Sequence, residues 1–134
     1  MFSTVVIGLD PTDTSRQAFE AGVELARVFD AHLHLVTAFK DDPRGGLEVT
    51  PARQHAERLL DNAAALIDTT GRRVTTHALP TEPAGAILQV AQEVGADLIV
   101  IGNKGAHGTR RVLGSVASAV TNGAPCAVTI VKTT

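Results

Sequence analysis

Short apolar runs alternate with amphipathic stretches along most of this chain. Between the runs, alanine, leucine, valine and isoleucine recur at the three- and four-residue spacing of a helix face. Five runs, several of them rich in β-branched residues, predict strands at Thr4 to Leu9, Leu33 to Ala38, Val74 to Ala78, Leu98 to Ile101 and Ala127 to Val131. The β-α-β-α-β-α-β-α-β pattern predicts one α/β domain over residues 1–134, built as a doubly wound, mostly parallel five-stranded sheet with helices on both faces.

Capping residues predict where the helices begin and end. Gly71 and Gly95 stand where the second and third helices should stop, because glycine readily adopts the left-handed conformation that follows a helix. Hydroxyl residues and prolines predict the helix starts, at Thr14 or Ser15, at Thr50-Pro51 and at Thr81-Glu82-Pro83.

The segment after the fourth strand is rich in glycine and leads into the last helix, for which Ser115 is the predicted N-cap. Its glycines are Gly102, Gly105, Gly108 and Gly114. Free N–H groups in such a loop, with the unpaired donors of a helix N-terminus, form a cradle for phosphate oxygens. Three cationic residues lie beside it in the sequence: Lys104, Arg110 and Arg111. The alternative is a loop that only turns the chain, but its place between a strand and a helix favours nucleotide binding.

Three predicted strand ends carry residues suited to a ligand crevice. Asp10 follows the first strand, Thr37 and Ala38 end the second, and Gly102 follows the fourth. Because open α/β sheets bind ligands outside the carboxyl ends of their strands, we expect these positions to converge. Taken alone, Asp10 is more typical of a turn or helix start, but its crevice position favours a ligand contact.

Composition argues against several classes of partner. The net charge is -2 and the chain has no Trp or Tyr, so it lacks both the basic surface and the stacking platforms of nucleic-acid binders. No apolar stretch approaches the roughly 20 residues of a membrane span. The N-terminus runs into Val5-Val6-Ile7 without the features of a secretion signal. We therefore expect a cytoplasmic protein with no nucleic-acid or membrane partner.

The sequence favours a binding protein over an enzyme. It contains no G-x-x-x-x-G-K-[ST] loop, and no catalytic residue is assigned. His107 could serve as an acid or base, but a single loop histidine is more often a solvated surface residue. The other histidines lack metal-ligand spacing, so no metal site is expected: His32, His34, His55 and His77. Cys126 is the only cysteine and is expected to act as a small buried hydrophobe.

Several segments together resemble the universal stress protein family, in particular its ATP-binding branch. They are Val5-Val6-Ile7-Gly8-Leu9-Asp10, Glu82-Pro83-Ala84, Ala96 to Gly102, Gly114-Ser115-Val116 and Ala124 to Val128. The family's nucleotide motif is G, two residues, G, nine residues, then G-S or G-T. Here eight residues separate Gly105 from Gly114, one fewer than in that motif. The resemblance implies a strand order of the adenine nucleotide alpha-hydrolase-like or flavodoxin-like kind.

The resemblance also implies which residues bind an adenine nucleotide. Gly8 and Asp10 would lie beside adenine and ribose, and the backbone of Ala38 would hydrogen-bond the adenine edge. Five residues would follow the ribose and phosphates: Gly102, Asn103, Lys104, Gly105 and Gly108. Three would close over the phosphates: Gly114, Ser115 and Val116.

The implied function is that of a small cytoplasmic stress-response protein that binds an adenine nucleotide in a regulatory or buffering role. ATP is the expected ligand, with Mg²⁺ as its companion ion, and AMP or cyclic AMP are alternatives. A nucleotide-free dimeric adaptor and a slow ATPase are further alternatives. A homodimer is expected through the last strand, because an apolar sheet edge with unpaired N–H and C=O groups needs a cover.

Overall fold

A computed structural model of the chain describes residues 1–41, 50–67, 73–103 and 113–132. Strands and helices alternate in it along the chain. The strands are β1 (Thr4–Gly8), β2 (His32–Ala38), β3 (Val74–Leu79), β4 (Leu98–Gly102) and β5 (Ala127–Val131). The helices are α1 (Asp13–Phe29), α2 (Pro51–Ala65), α3 (Pro83–Val94) and α4 (Ser115–Gly123). The predicted α/β fold with helices on both faces is confirmed.

All five strands are parallel and lie in the order β3-β2-β1-β4-β5. The order reverses at β1, which pairs with β2 through Val5 and Leu33 and with β4 through Val5 and Leu98. The flavodoxin-like alternative is wrong, because that order places β1 between β2 and β3. Here β3 lies at the sheet edge, a position that suits its exposed Thr75 and Thr76.

Each face of the sheet has its own hydrophobic core, since successive strand residues point to opposite faces. Val5 and Ile7 of β1 pack on the side of α1 and α2, whereas Val6 packs on the side of α3 and α4. All three side chains have 0% exposure. The central strands are therefore covered on both faces, as their uninterrupted apolar runs predict.

The start of α1 differs from the prediction. Its N-cap is Thr12, not Thr14 or Ser15, and the Thr12 hydroxyl accepts a hydrogen bond from the Ser15 N–H at 3.2 Å. The Ser15 hydroxyl is engaged elsewhere, because it accepts a hydrogen bond from the Asp10 N–H at 2.8 Å. Ser15 thereby ties the first turn of α1 to the end of β1.

Other helix ends follow the prediction more closely. Thr50 caps α2, and Gly95 ends α3 at a φ of 64°, in the left-handed region that favours glycine. The prediction that α2 runs to Gly71 is wrong, since α2 ends at Ala65 and Gly71 itself lies outside the described residues. Two i to i−3 hydrogen bonds close this end and turn Ile67 into the core. In the described parts of the chain, no helix has the length and apolar character needed to cross a membrane.

Candidate functional site

A cavity lies at the carboxyl ends of the strands, beside β1 and β4, where the strand order reverses. Thr14 and Ser15 of α1 line it from one side of the sheet, and Pro83 and Ile87 of α3 line it from the other. The start of α4 contributes a further part of the wall. Its volume of about 180 Å³ suits a small molecule. Open α/β sheets bind ligands at this position.

The cavity brings together the predicted site residues that the structure describes. They are Gly8, Asp10, Ala38, Gly102, Asn103, Gly114, Ser115 and Val116. Three other predicted site residues lie outside the described ranges: Lys104, Gly105 and Gly108. So do the residues named beside them, His107, Arg110 and Arg111.

Sequence reasoning missed several of the lining residues. Among them are Pro11, Thr14, Ser15, Pro83 and Ile87. Thr14 and Ser15 belong to the first turn of α1, and Pro83 opens α3. The crevice rule for open sheets could have found them, because each lies in a strand-to-helix connection or in the first two turns of the helix that follows.

Close packing explains why two residues of the cavity wall are glycine, and the sequence alone does not reveal it. A Cβ on Gly102 would lie 2.8 Å from the backbone oxygen of Thr14 and 2.5 Å from its Cγ2. A Cβ on Gly8 would lie 2.6 Å from Cδ1 of Ile87. Gly102 therefore lets α1 pack closely against β4, whatever its part in binding a ligand.

Asp10 is part of a turn as well as of the cavity wall. Its Oδ1 accepts hydrogen bonds from the N–H and the hydroxyl of Thr12, the N–H at 3.0 Å. Its own N–H donates to Ser15. The turn interpretation of Asp10 is confirmed, and the same turn places Asp10 in the cavity wall. Its contact with a ligand stays a prediction.

The ends of β1 and β2 are linked at the floor of the cavity. The buried Thr37 hydroxyl donates to the Leu9 carbonyl at 2.8 Å, and the Leu9 N–H donates to the Val36 carbonyl at 2.8 Å. Since Val36 directs its backbone toward β1, Ala38, two residues later, directs its backbone the same way. At that level β1 has ended, so the polar backbone groups of Ala38 face the cavity.

The start of α4 lines the cavity with N–H groups that have no partner within the part of the chain that the structure describes. Gly114 is the N-cap and Ser115 the first helical residue, so the prediction of Ser115 as N-cap is wrong by one position. No side chain of the cap bonds to the helix. The N–H groups of Ser115, Val116 and Ala117 precede the first intrahelical bond, which runs from the Ser118 N–H to the Gly114 carbonyl at 2.9 Å. The positive end of the helix dipole adds to their attraction for an anion.

Three histidines cluster on β2 and β3, on the face of the sheet that carries α3. Nδ1 of His34 lies 2.9 Å from Nε2 of His77, and the ring of His32 lies 4.1 Å from that of His34. Burial, together with nearby His32 and His77, lowers the pKa of His34 from 6.5 to about 4. Burial also lowers the pKa of His32 and of His77. The folded protein therefore holds this cluster neutral at pH 7.

Acidification is expected to destabilise the protein through this cluster. In the unfolded chain His34 takes up a proton near its ordinary pKa of about 6.5, so its contribution to stability is complete above that pH and is lost as the pH falls toward 4. The full shift corresponds to about 3 kcal/mol, and solvent at the sheet edge reduces the expected loss to about 1–2 kcal/mol. Urea unfolding at pH about 7.5 and about 5 measures it.

A matched pair of variants isolates the cluster. His34→Gln should reduce the pH dependence of the unfolding free energy, whereas His55→Gln should leave it as in the wild type, because His55 is exposed on α2. Equal pH dependence in both variants would assign the effect to other groups.

Among the described residues, no group of three His, Cys, Asp or Glu side chains could hold a metal ion. Cys126 packs at the edge of the core beneath α3 and α4. It is half-buried instead of fully buried as predicted, and burial raises the pKa of its thiol.

Comparison with known proteins assigns the chain to a family. A sequence model of the universal stress protein family matches residues 1–132. The chain belongs to the universal stress protein family. A universal stress protein of Methanocaldococcus jannaschii is 29% identical over 141 residues, which covers 98% of this chain and 83% of that protein. The resemblance inferred from the motifs is thus confirmed at the level of the family.

Solved structures of universal stress proteins share the fold and include nucleotide complexes. One, determined in complex with cAMP, has a TM-score of 0.78, 27% identity and 99% coverage of both chains. Another, from Archaeoglobus fulgidus in complex with dAMP, has a TM-score of 0.73, 25% identity and 97% coverage of both chains. Both are universal stress proteins crystallised with an adenine nucleotide.

Proposed function

We propose that this universal stress protein binds an adenine nucleotide in the cavity at the β1 and β4 strand ends. Its role would be regulatory or buffering, within a cytoplasmic stress response. The observation that carries the proposal is the convergence of eight predicted contact residues on one small cavity, next to the unpaired N–H groups of α4. Two relatives crystallised with cAMP and dAMP support the ligand class.

The phosphates would bind at the start of α4. The N–H groups of Ser115, Val116 and Ala117 are available there, and all three residues line the cavity. Gly102 and Asn103 line the cavity at the end of β4, where Asn103 is bonded to Gly114. Lys104, Gly105 and Gly108 follow directly in the sequence, and we propose them as further phosphate and ribose contacts.

The base would bind at the other end of the cavity. The backbone of Ala38 faces it and offers hydrogen bonds to the edge of adenine, while Gly8 and Asp10 lie beside the base and ribose. Ile87 and Val36 supply apolar surface for the ring. Backbone hydrogen bonds discriminate among bases, so guanine and pyrimidine nucleotides should bind less tightly than adenine nucleotides.

Two adenine ligands fit the proposal. ATP with Mg²⁺ is the first candidate, because the glycine-rich motif that ends at Gly114 and Ser115 resembles that of the ATP-binding branch of the family. A monophosphate, AMP or cyclic AMP, is the second candidate. It is supported by the two relatives in complex with cAMP and dAMP, and by Ala117, which offers no hydroxyl to a longer phosphate chain.

We propose binding in preference to catalysis. Among the described lining residues, Asp10 is the one carboxylate, and its Oδ1 already accepts hydrogen bonds from Thr12. A site with this composition offers an anion many N–H donors but little machinery to activate water. Slow hydrolysis would appear as release of phosphate from bound ATP.

Titration of the purified protein tests the proposal. Isothermal titration calorimetry with ATP, AMP, cyclic AMP, adenosine and GTP, each with and without Mg²⁺, should give micromolar binding to at least one adenine nucleotide and weaker binding to GTP. Native mass spectrometry of the protein as purified would reveal a co-purified nucleotide. Failure of every adenine nucleotide to bind, with the protein folded and free of ligand, would refute the proposal and favour a nucleotide-free adaptor.

We also propose a homodimer joined through β5. This strand lies at the sheet edge, where it pairs with β4 on one side. Its side chains are half-buried or exposed, including Val128 and Ile130. Pairing with a second copy about a two-fold axis would satisfy the outer backbone groups and cover these apolar side chains.

Two proline variants test this dimer. Successive N–H groups of a strand point to opposite edges, so Thr129→Pro and Ile130→Pro remove donors that face opposite ways. The variant that removes an outward donor should be a folded monomer, and the other should lose pairing with β4 and unfold more easily. Light scattering gives the mass and urea unfolding the stability. A wild-type mass near 13.9 kDa at micromolar concentration would exclude the dimer.

A further inference from the structure

Asn103 is the lining residue whose side chain bonds to the N-cap of α4. It directly follows β4 and is only 6% exposed. Its Oδ1 accepts a hydrogen bond from the N–H of Gly114 at 2.8 Å, across eleven positions of sequence. A buried amide side chain requires such a partner, and Asn103 finds it at the N-cap of α4.

The choice of donor matters for the cavity. Between the described residues, the bond of Asn103 to the start of α4 is with the N–H of Gly114, one residue before the helix, and not with those of Ser115, Val116 or Ala117. The three donors best placed for an anion therefore stay available to the cavity. Gly114 has no side chain with which to cap α4, and the bond from Asn103 fixes this N-cap residue without engaging the N–H groups of the first turn.

A second contact fixes the other end of this arrangement. Gly102, adjacent to Asn103, packs so closely on Thr14 that a Cβ would meet the Thr14 backbone oxygen at 2.8 Å. The end of β4 is thus held against α1, and the bond from Asn103 holds the start of α4 next to the same strand end. These two contacts tie the end of β4 both to α1 and to the start of α4.

We propose that Asn103 is a positioning residue that holds the α4 N-terminus at the correct distance for nucleotide phosphates. This inference rests on the proposed function, and it changes the role expected for Asn103 from a direct ligand contact to one exerted through Gly114. It also accounts for a functional site in a chain whose motif is one residue shorter than that of its family.

The test separates the bond itself from its effect on binding. In Asn103→Ala, amide exchange of Gly114, followed by NMR on the ligand-free protein, should accelerate about tenfold or more, since a buried hydrogen bond is lost. Affinity for ATP or AMP should fall about tenfold, whereas affinity for adenosine, which has no phosphate, should change less than about twofold. Asn103→Asp retains the acceptor and should keep Gly114 protected, although its charge weakens phosphate binding.

Gly114→Pro provides a second route if Asn103→Ala fails to fold. Proline fits the Gly114 φ of −63° and removes the donor, but like any side chain it also adds bulk to the cavity wall. Gly114→Ala, which adds a Cβ and keeps the donor, is therefore the reference for the loss seen in Gly114→Pro. Gly114→Pro should lose more affinity for phosphate-bearing ligands than for adenosine, as Asn103→Ala does. The double variant should bind these ligands no more weakly than the weaker-binding single variant. Unchanged Gly114 exchange in Asn103→Ala, or an equal loss of adenosine and ATP affinity, would overturn the positioning role. A wild type that binds neither nucleotide would overturn the proposed function as well, while the exchange data would still report on the bond.

Discussion

Gly114→Val is expected to abolish nucleotide binding while the protein stays folded. Gly114 lines the cavity as the N-cap of α4, and its φ of −63° is one that valine adopts without strain. The substitution adds a branched side chain at the point where the phosphates would approach the α4 N–H groups. We expect a loss of about 100-fold or more in affinity, equivalent to about 3 kcal/mol, measured by calorimetric titration.

Two control experiments distinguish a loss of binding by Gly114→Val from a loss of folding. Thermal unfolding of the ligand-free variant should stay close to that of the wild type, which separates loss of binding from loss of fold. Gly114→Ala should give an intermediate loss, because its side chain is smaller. A folded Gly114→Val protein with undiminished affinity would exclude the start of α4 as the phosphate site.

Gly102→Ala should cause the largest loss of stability. The new Cβ would lie 2.5 Å from Cγ2 and 2.8 Å from the backbone oxygen of Thr14, so either β4 or α1 must move. Overpacking of this kind costs up to about 3 kcal/mol. Urea unfolding measures the loss, and nucleotide affinity should fall with it because Thr14 lines the cavity.

Gly85→Ala is the matched control for this change. Gly85 lies in α3, where the nearest atom to an added Cβ is the Thr81 hydroxyl at 3.5 Å, an ordinary contact. Since alanine is the better helix former, Gly85→Ala should be neutral or stabilise the protein by up to about 1 kcal/mol. Similar losses in both variants would show that close packing on Thr14 is not the reason for glycine at position 102.

The strands were predictable from sequence because their apolar, β-branched runs leave no competing interpretation. β5 begins and ends at the predicted residues, and the other strands differ by one residue at an end. Helix starts were harder. The segment from Asp10 to Ser15 offers several candidate caps, and the choice of Thr12 depends on Ser15 being bonded to Asp10. Which hydroxyl residue caps the helix therefore depends on the neighbouring hydrogen bonds, and residue type alone does not determine it.

The site was predictable as a set of residues but not in the role of each one. Strand ends and glycine-rich spacing were enough to indicate Asp10, Ala38 and Gly114, and the family resemblance added Gly8; the cavity brings all four together. The bond between Asn103 and Gly114 joins residues eleven apart, and the need for glycine at position 102 comes from α1. Neither tertiary contact leaves a local pattern in the sequence.

The placement of the cavity between the two faces of the sheet has a consequence for protein turnover. Ser15 belongs to one helical layer and Ile87 to the other, and the layers have separate cores on opposite faces of the sheet. A nucleotide bound between them would contact both layers, so it would raise the free energy of unfolding by an amount that grows with the logarithm of its concentration. At a free ligand concentration of 100 times Kd the gain would be about 2.7 kcal/mol, roughly a 100-fold reduction in the unfolded fraction exposed to proteases. The cellular lifetime of this protein would then lengthen as the level of its nucleotide rises.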